Sequence, residues 1–171
     1  RDLSNWYYRF VLVMCEVLFM MNIIIQLVMA GIGAVAFGLF YNVNKRYLFI
    51  IFCLGTFCWG SWLFTKMMVT ESIFVAALQT GLLVAIAAEI VSRIMRAPST
   101  IFFLTASIPI VPGGQLYRFM TAIVEKNRGD TVLYGLQALY IAFGIAVGMS
   151  IAWAICDFCR KISRNIKKER I

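Results

Sequence analysis

The sequence predicts an all-α, polytopic membrane protein of about five transmembrane helices, the fourth of them broken by proline. Three observations carry that expectation. The chain of 171 residues is 62% hydrophobic and only 14% charged, against about 45–50% and about 25% in a soluble domain. Its apolar runs are long enough to cross roughly 30 Å of hydrocarbon as helices and are separated by only a few polar residues. All three prolines, Pro98, Pro109 and Pro112, fall close together, two of them inside an apolar run. A mean hydropathy of +0.85 agrees. Residues 1–171 are therefore expected to form a single transmembrane domain.

The first apolar run, Phe10 to Tyr41, is too long for one upright span. It is expected either to tilt strongly or to follow an interfacial helix within residues 1–19, around Asn5 to Phe19, with Trp6, Tyr7 and Tyr8 at the headgroups. It is also too long for the apolar core of a signal peptide and has no small-residue cleavage site. Because the sequence opens on Arg1 rather than Met, further chain upstream is expected. The second span is Tyr47 to Phe64, the third Ile73 to Ile94, the fourth Thr100 to Ile123 and the fifth Val132 to Phe158. Such short connections make consecutive helices antiparallel neighbours.

Lysine and arginine collect at cytoplasmic ends. Five crossings put ten of them on one side and five on the other, whereas a fourth segment that dipped in and returned would divide them six against nine. Five crossings are preferred, in a plasma or inner membrane with the C-terminus cytoplasmic. The basic tail, residues 159–171, holds most of the net charge of +8. It reads as a stop signal lying on anionic lipid of the bilayer, and no nucleic-acid role is warranted.

Composition also excludes chemistry. The chain has no histidine, so Ser-His-Asp and Cys-His catalysis and imidazole metal sites are absent. No catalytic residue, metal ligand or cofactor is assigned, and an enzyme is not expected. The five cysteines lie in or at the ends of apolar runs, where cysteine acts as a small hydrophobe. The CxxC spacing of Cys156 and Cys159 lacks the second pair of a zinc site and the soluble setting of a redox motif.

Helices in lipid pack through small residues. Gly144, Gly148 and Ala152 form one such stripe, and Ala77, Gly81 and Ala85 another, which continues into Glu89 and Arg93. Glu89 therefore belongs on a helix-contact face, with Arg93 one turn on. Two roles fit: a structural ion pair near the membrane end, or proton coupling, since ionisable groups inside spans are costly and often functional. Asn22 and Gln26 share a face and read as helix contacts.

The strongest signal is Ile108 to Arg118. Pro109 and Pro112 each remove a backbone donor, and Gly113 and Gly114 permit conformations closed to other residues. The helix must kink or break near Val111 and Pro112, about halfway through the bilayer. Non-helical backbone at that depth requires burial in protein or a watery cavity. A second half-helix beyond Gly114 would aim its unpaired N–H groups at the midplane, where they suit a small-molecule carboxylate. Gln115 and Tyr117 offer hydrogen bonds and Arg118 a full charge. The alternative is a kink that only shapes packing, with Arg118 snorkelling to the far interface.

Pro98, the run Ile108-Pro109-x-Val111-Pro112-Gly113-Gly114-x-x-Tyr117, and Tyr41-Asn42-Val43 with a following basic residue together resemble the threonine/serine exporter family, more narrowly its small all-membrane subunit or C-terminal half. The likeness runs from about Gly31 onward, with Pro109, Pro112, Gly113 and Tyr117 on the motif and Arg93 and Pro98 on the loop before it. It implies proton-driven export of threonine and serine, or of dicarboxylates such as succinate. It also implies a partner, a second membrane half or subunit of the exporter. A non-transporting membrane scaffold or assembly subunit is the competing function.

Overall fold

A computed structural model describes the backbone of residues 2–68 and 72–169, and the side chains of 21–68 and 72–161. The interfacial anchor expected at Trp6 to Tyr8 and the tail side chains beyond residue 161 lie outside the described side chains. Among the described residues six α-helices follow in order: α1 (Asp2–Phe40), α2 (Leu48–Met68), α3 (Ile73–Met95), α4 (Ser99–Ala106), α5 (Gly113–Val124) and α6 (Arg128–Glu169). Single turns of 3-10 helix sit at Lys45–Tyr47 and Ile108–Ile110. Four stretches are long and apolar enough to cross a membrane, Met21–Phe40, Lys45–Met68, Ile73–Met95 and Arg128–Lys161. A fifth is the bent pair Ser99–Ile110 and Gly113–Val124, with 49° between its halves. The all-α polytopic architecture and the broken fourth segment are as the sequence predicts.

Local chemistry sets the helix ends. The segment after α1 turns through Asn42 at φ 54°, and the Asn44 side chain then accepts from the Arg46 N–H at 3.2 Å to start the next turn. Asparagine tolerates the left-handed region better than most residues. At the end of α3, Arg96 takes φ 53° and both its N–H and that of Ala97 return to the Ser92 carbonyl. Pro98 cannot continue that helix and instead caps α4.

The helices approach closely because glycine lets them. A Cβ on Gly55 would lie 2.5 Å from the Ala34 Cβ, and one on Gly31 2.6 Å from Phe52 and Thr56, so α1 and α2 meet almost backbone to backbone. Across this contact Thr56 Oγ1 donates to the Leu27 carbonyl at 3.3 Å, and Trp59 Nε1 donates to Gln26 Oε1 at 3.2 Å. Gln26 is thus the helix contact expected of it. The stripe of α3 meets the stripe of α6: a Cβ on Gly144 would strike Ala77 and the Phe74 carbonyl, one on Gly148 the Leu78 carbonyl, and one on Gly81 the backbone of Ile145. A second buried stripe of α3, Ala76, Thr80, Val84, Ala88 and Ser92, lies beside the first, so α3 is covered on two faces.

These contacts fix direction. Positions 77, 81 and 89 of α3 meet 144, 145 and 160 of α6 in rising order, so the two helices are parallel. A parallel α3 and α6 require the intervening chain to return to the opposite membrane face. The broken segment therefore crosses; a re-entrant dip would have left α6 antiparallel to α3. This agrees with the five-crossing division of the basic residues. The first turns of α6 pair instead with α5, where a Cβ on Gly135 would lie 3.1 Å from the Phe119 ring. At 42 residues α6 is about 63 Å long, roughly twice the hydrocarbon thickness.

Candidate functional site

The break lies within the bundle. Phe102, Phe103, Ala106 and Ile110, all buried, share one apolar cluster with Cys58 of α2 and Val84 of α3, each near the middle of its own helix. α4 ends when Ser107 caps it, its N–H returning to the Phe103 carbonyl at 2.9 Å. Pro109 follows inside the 3-10 turn. Val111 is extended, and Pro112, buried, caps α5.

The second half-helix starts at Gly113, two residues earlier than expected, and its glycines serve a different purpose. Neither Gly113 nor Gly114 has positive φ, so no special backbone conformation is needed of them. What they contribute is open space, because a Cβ at either position would meet nothing within 4 Å. The Gly113 N–H is closed onto the Val111 carbonyl at 2.7 Å, and the Leu116 N–H reaches the Pro112 carbonyl at 3.0 Å. Between them the N–H groups of Gly114 and Gln115 have no acceptor among the described residues. Gln115 is half-buried, Tyr117 is 72% exposed, and Arg118 is exposed with its guanidinium 5.7 Å from the centre of the Tyr134 ring on α6. The predicted residues thus share one end of α5, with Arg118 held toward α6.

Glu89 and Arg93 form a separate centre. The Glu89 side chain is 8% exposed, and its Oε1 accepts from Arg93 at 3.3 Å and from Arg160 of α6 at 2.6 Å. One carboxylate therefore ties the ends of α3 and α6 together. The i,i+4 pair was legible in sequence; Arg160, 71 positions away, was not. Cys156 and Cys159 are both free thiols.

A further cleft, of about 550 Å³, lies between the turn after α1 and the loop after α3, lined by Tyr41, Asn42, Arg96, Pro98 and the outer face of α4. Two sequence signals, Tyr41-Asn42-Val43 and the loop around Pro98, meet here, although nothing in their spacing joins them.

The threonine/serine exporter (ThrE) profile matches residues 26–155, most of the chain. The chain belongs to the threonine/serine exporter family. The match begins inside α1 and ends before the basic tail, close to the limits of the likeness in the sequence, and it takes in the helix break, the cleft and Glu89. No curated protein and no solved structure matches the chain. Family and fold together make it a membrane transport component of the amino-acid-export type.

Proposed function

We propose that this exporter-family chain is one membrane half of a secondary transporter that moves small hydroxy amino acids, threonine and serine, or small dicarboxylates such as succinate, out of the cell. The substrate carboxylate binds at the break formed by Pro109, Pro112, Gly113 and Gly114, with Gln115, Tyr117 and Arg118 as its polar surroundings. The observation that carries this reading is the pair of unoccupied N–H groups at Gly114 and Gln115, at the positive end of a helix, with no side chain in front of the glycines. Alternating access in such transporters uses two related halves, so a second membrane half is the proposed partner. The C-terminus is proposed to be cytoplasmic in the plasma or inner membrane.

Proton coupling is proposed at Glu89. A proton taken by its carboxylate removes the negative charge that holds Arg160, which weakens the tie between α6 and α3. Chemistry and helix movement are then linked through one atom, Oε1.

Export from vesicles holding the chain and its second half tests the site. Gly113→Ala introduces a methyl that meets nothing in the protein, so the fold should persist while export falls about tenfold as the carboxylate is pushed from the N–H groups, one bond being worth about 1.5 kcal/mol. Arg118→Ala should raise KM. Unchanged export of threonine, serine and succinate in both variants would sink the site assignment. A scaffold, by contrast, would leave flux unaltered when this chain is withdrawn.

A further inference from the structure

The cleft between the α1–α2 turn and the α3–α4 loop is distinct from the helix break, since none of residues 108–118 lines it. Its walls contain no Asp or Glu. Arg96 makes no ion pair among the described residues. The carboxylates nearest it in the fold are already engaged: Glu89 holds Arg93 and Arg160, and Asp157 holds Lys161 at 3.0 Å. Lys45 and Arg46, on the turn that forms the other wall, add further positive charge with no carboxylate to meet it among the described residues. Positive charge is thus left over on this rim, because Glu89 and Asp157 already face three basic side chains, Arg93, Arg160 and Lys161.

The backbone adds a second observation. Arg96 stands at φ 53° where the helix ends, and Asn42 stands at φ 54° on the facing turn. A helix C-terminus of this shape favours glycine, and a long branched-head side chain such as arginine occupies it at a cost. Packing gives no return for that cost, because Arg96 is exposed and its head has no protein partner. The Asn42 amide is likewise without a hydrogen-bond partner among the described residues, unlike Asn44, which is used up as a cap. Thr105 is also spent, its hydroxyl bonded to the Ile101 carbonyl at 2.8 Å. The remaining wall is aromatic and aliphatic, from Tyr41, Tyr47, Ile101 and Leu104.

We infer that this cleft is a second binding site, for an oxyanion group carried on a small apolar or short-chain body, with the Arg96 guanidinium and the Asn42 amide as its recognition pair. A planar guanidinium matches a carboxylate or a phosphate through paired N–H bonds, and the volume fits a small ligand rather than a macromolecule. Two sources supply that chemistry: a soluble carboxylate approaching this membrane face, or the phosphate of a lipid headgroup at the ends of the same helices. The site is independent of the broken helix and exists whether or not the break carries flux.

The test is equilibrium binding to the purified full-length chain in nanodiscs. Succinate, serine and inorganic phosphate are titrated in phosphatidylcholine discs, and phosphatidylglycerol retention is followed by native mass spectrometry. Single and combined variants are compared. Arg96→Gly removes the head while suiting the backbone, so the melting temperature should hold or rise as affinity falls about tenfold or more, the loss expected for a charge-assisted bond. Arg96→Lys keeps the charge but not the paired N–H geometry, so its affinity should fall between those of the unaltered chain and Arg96→Gly. Gly113→Ala disables the proposed site at the break and leaves the cleft untouched, so binding at the cleft should persist in it and be lost when Arg96→Gly is added. Binding of a solute in discs without anionic lipid assigns a soluble ligand, and retention of phosphatidylglycerol alone assigns the lipid; either supports the oxyanion site. Absence of binding by every probe overturns it, as does affinity that survives Arg96→Gly in the Gly113→Ala background or is wholly lost in Gly113→Ala alone.

Discussion

Thr80 sits fully buried on α3 with its hydroxyl unpaired, whereas Thr65 and Thr105 each donate to the carbonyl one turn back at 2.8 Å. An unsatisfied buried donor costs about 1–3 kcal/mol. Thr80→Val keeps the shape and removes that cost, so thermal unfolding in detergent should show a gain of about 1 kcal/mol. Glycine positions separate just as clearly. Gly33 faces open space, and Gly33→Ala should leave the melting temperature almost unchanged; Gly148 faces the Leu78 carbonyl, and Gly148→Ala must force α6 from α3 at about 1–3 kcal/mol. The sequence pattern did find Gly148, because a neighbouring glycine and alanine repeat at four-residue spacing, but what it faces is a matter of the partner helix.

At the scale of elements, the Glu89 cluster and the helix break are the two features that do more than fill space. Glu89 joins α3 to α6 through Arg160 at 2.6 Å, while Arg93 at 3.3 Å comes from its own helix. Removing Arg160 should therefore destabilise more than removing Arg93. Both arginine heads are about half exposed, so solvent screening limits the difference to about 1 kcal/mol, which paired Arg160→Ala and Arg93→Ala melts would read. Glu89→Gln should lower stability through the same contact; if the proposed coupling holds, it should also abolish the response of export to an imposed pH gradient. The break was legible because proline is local: a missing donor and a ring clash act within one turn whatever surrounds them. Its use of glycine was not, since open space in front of Gly113 is created by other helices standing back.

The whole molecule is organised by the parallel contact of α3 with α6. Because of it, the turn after α1, the loop after α3 and the end of α6 share one membrane face, and the α5–α6 turn lies on the other. Single cysteines replacing Asn44, Ala97 and Lys161 in a cysteine-free chain should react with an impermeant thiol reagent from one side, and a cysteine at Asn127 from the opposite side. Labelling of Asn127→Cys together with the others would contradict a crossing fourth segment. The same arrangement collects charge on one face, where Arg96 lines the cleft, Lys45 and Arg46 stand on the adjoining turn, and Glu89 answers Arg93 and Arg160.

Class, number of apolar segments, the small-residue stripes and the site of the break were all determined by the sequence, because hydropathy, periodicity and proline sterics act on neighbours along the chain. Tertiary structure alone decided which stripes meet, that α3 and α6 run parallel, that Arg160 completes the Glu89 cluster, and that Asn42 and Arg96 face one cleft. Each of these joins residues far apart in sequence. In lipid, where no hydrophobic force selects between one apolar face and another, close backbone approach and the few charged groups decide how helices pair, and those depend on shape in three dimensions.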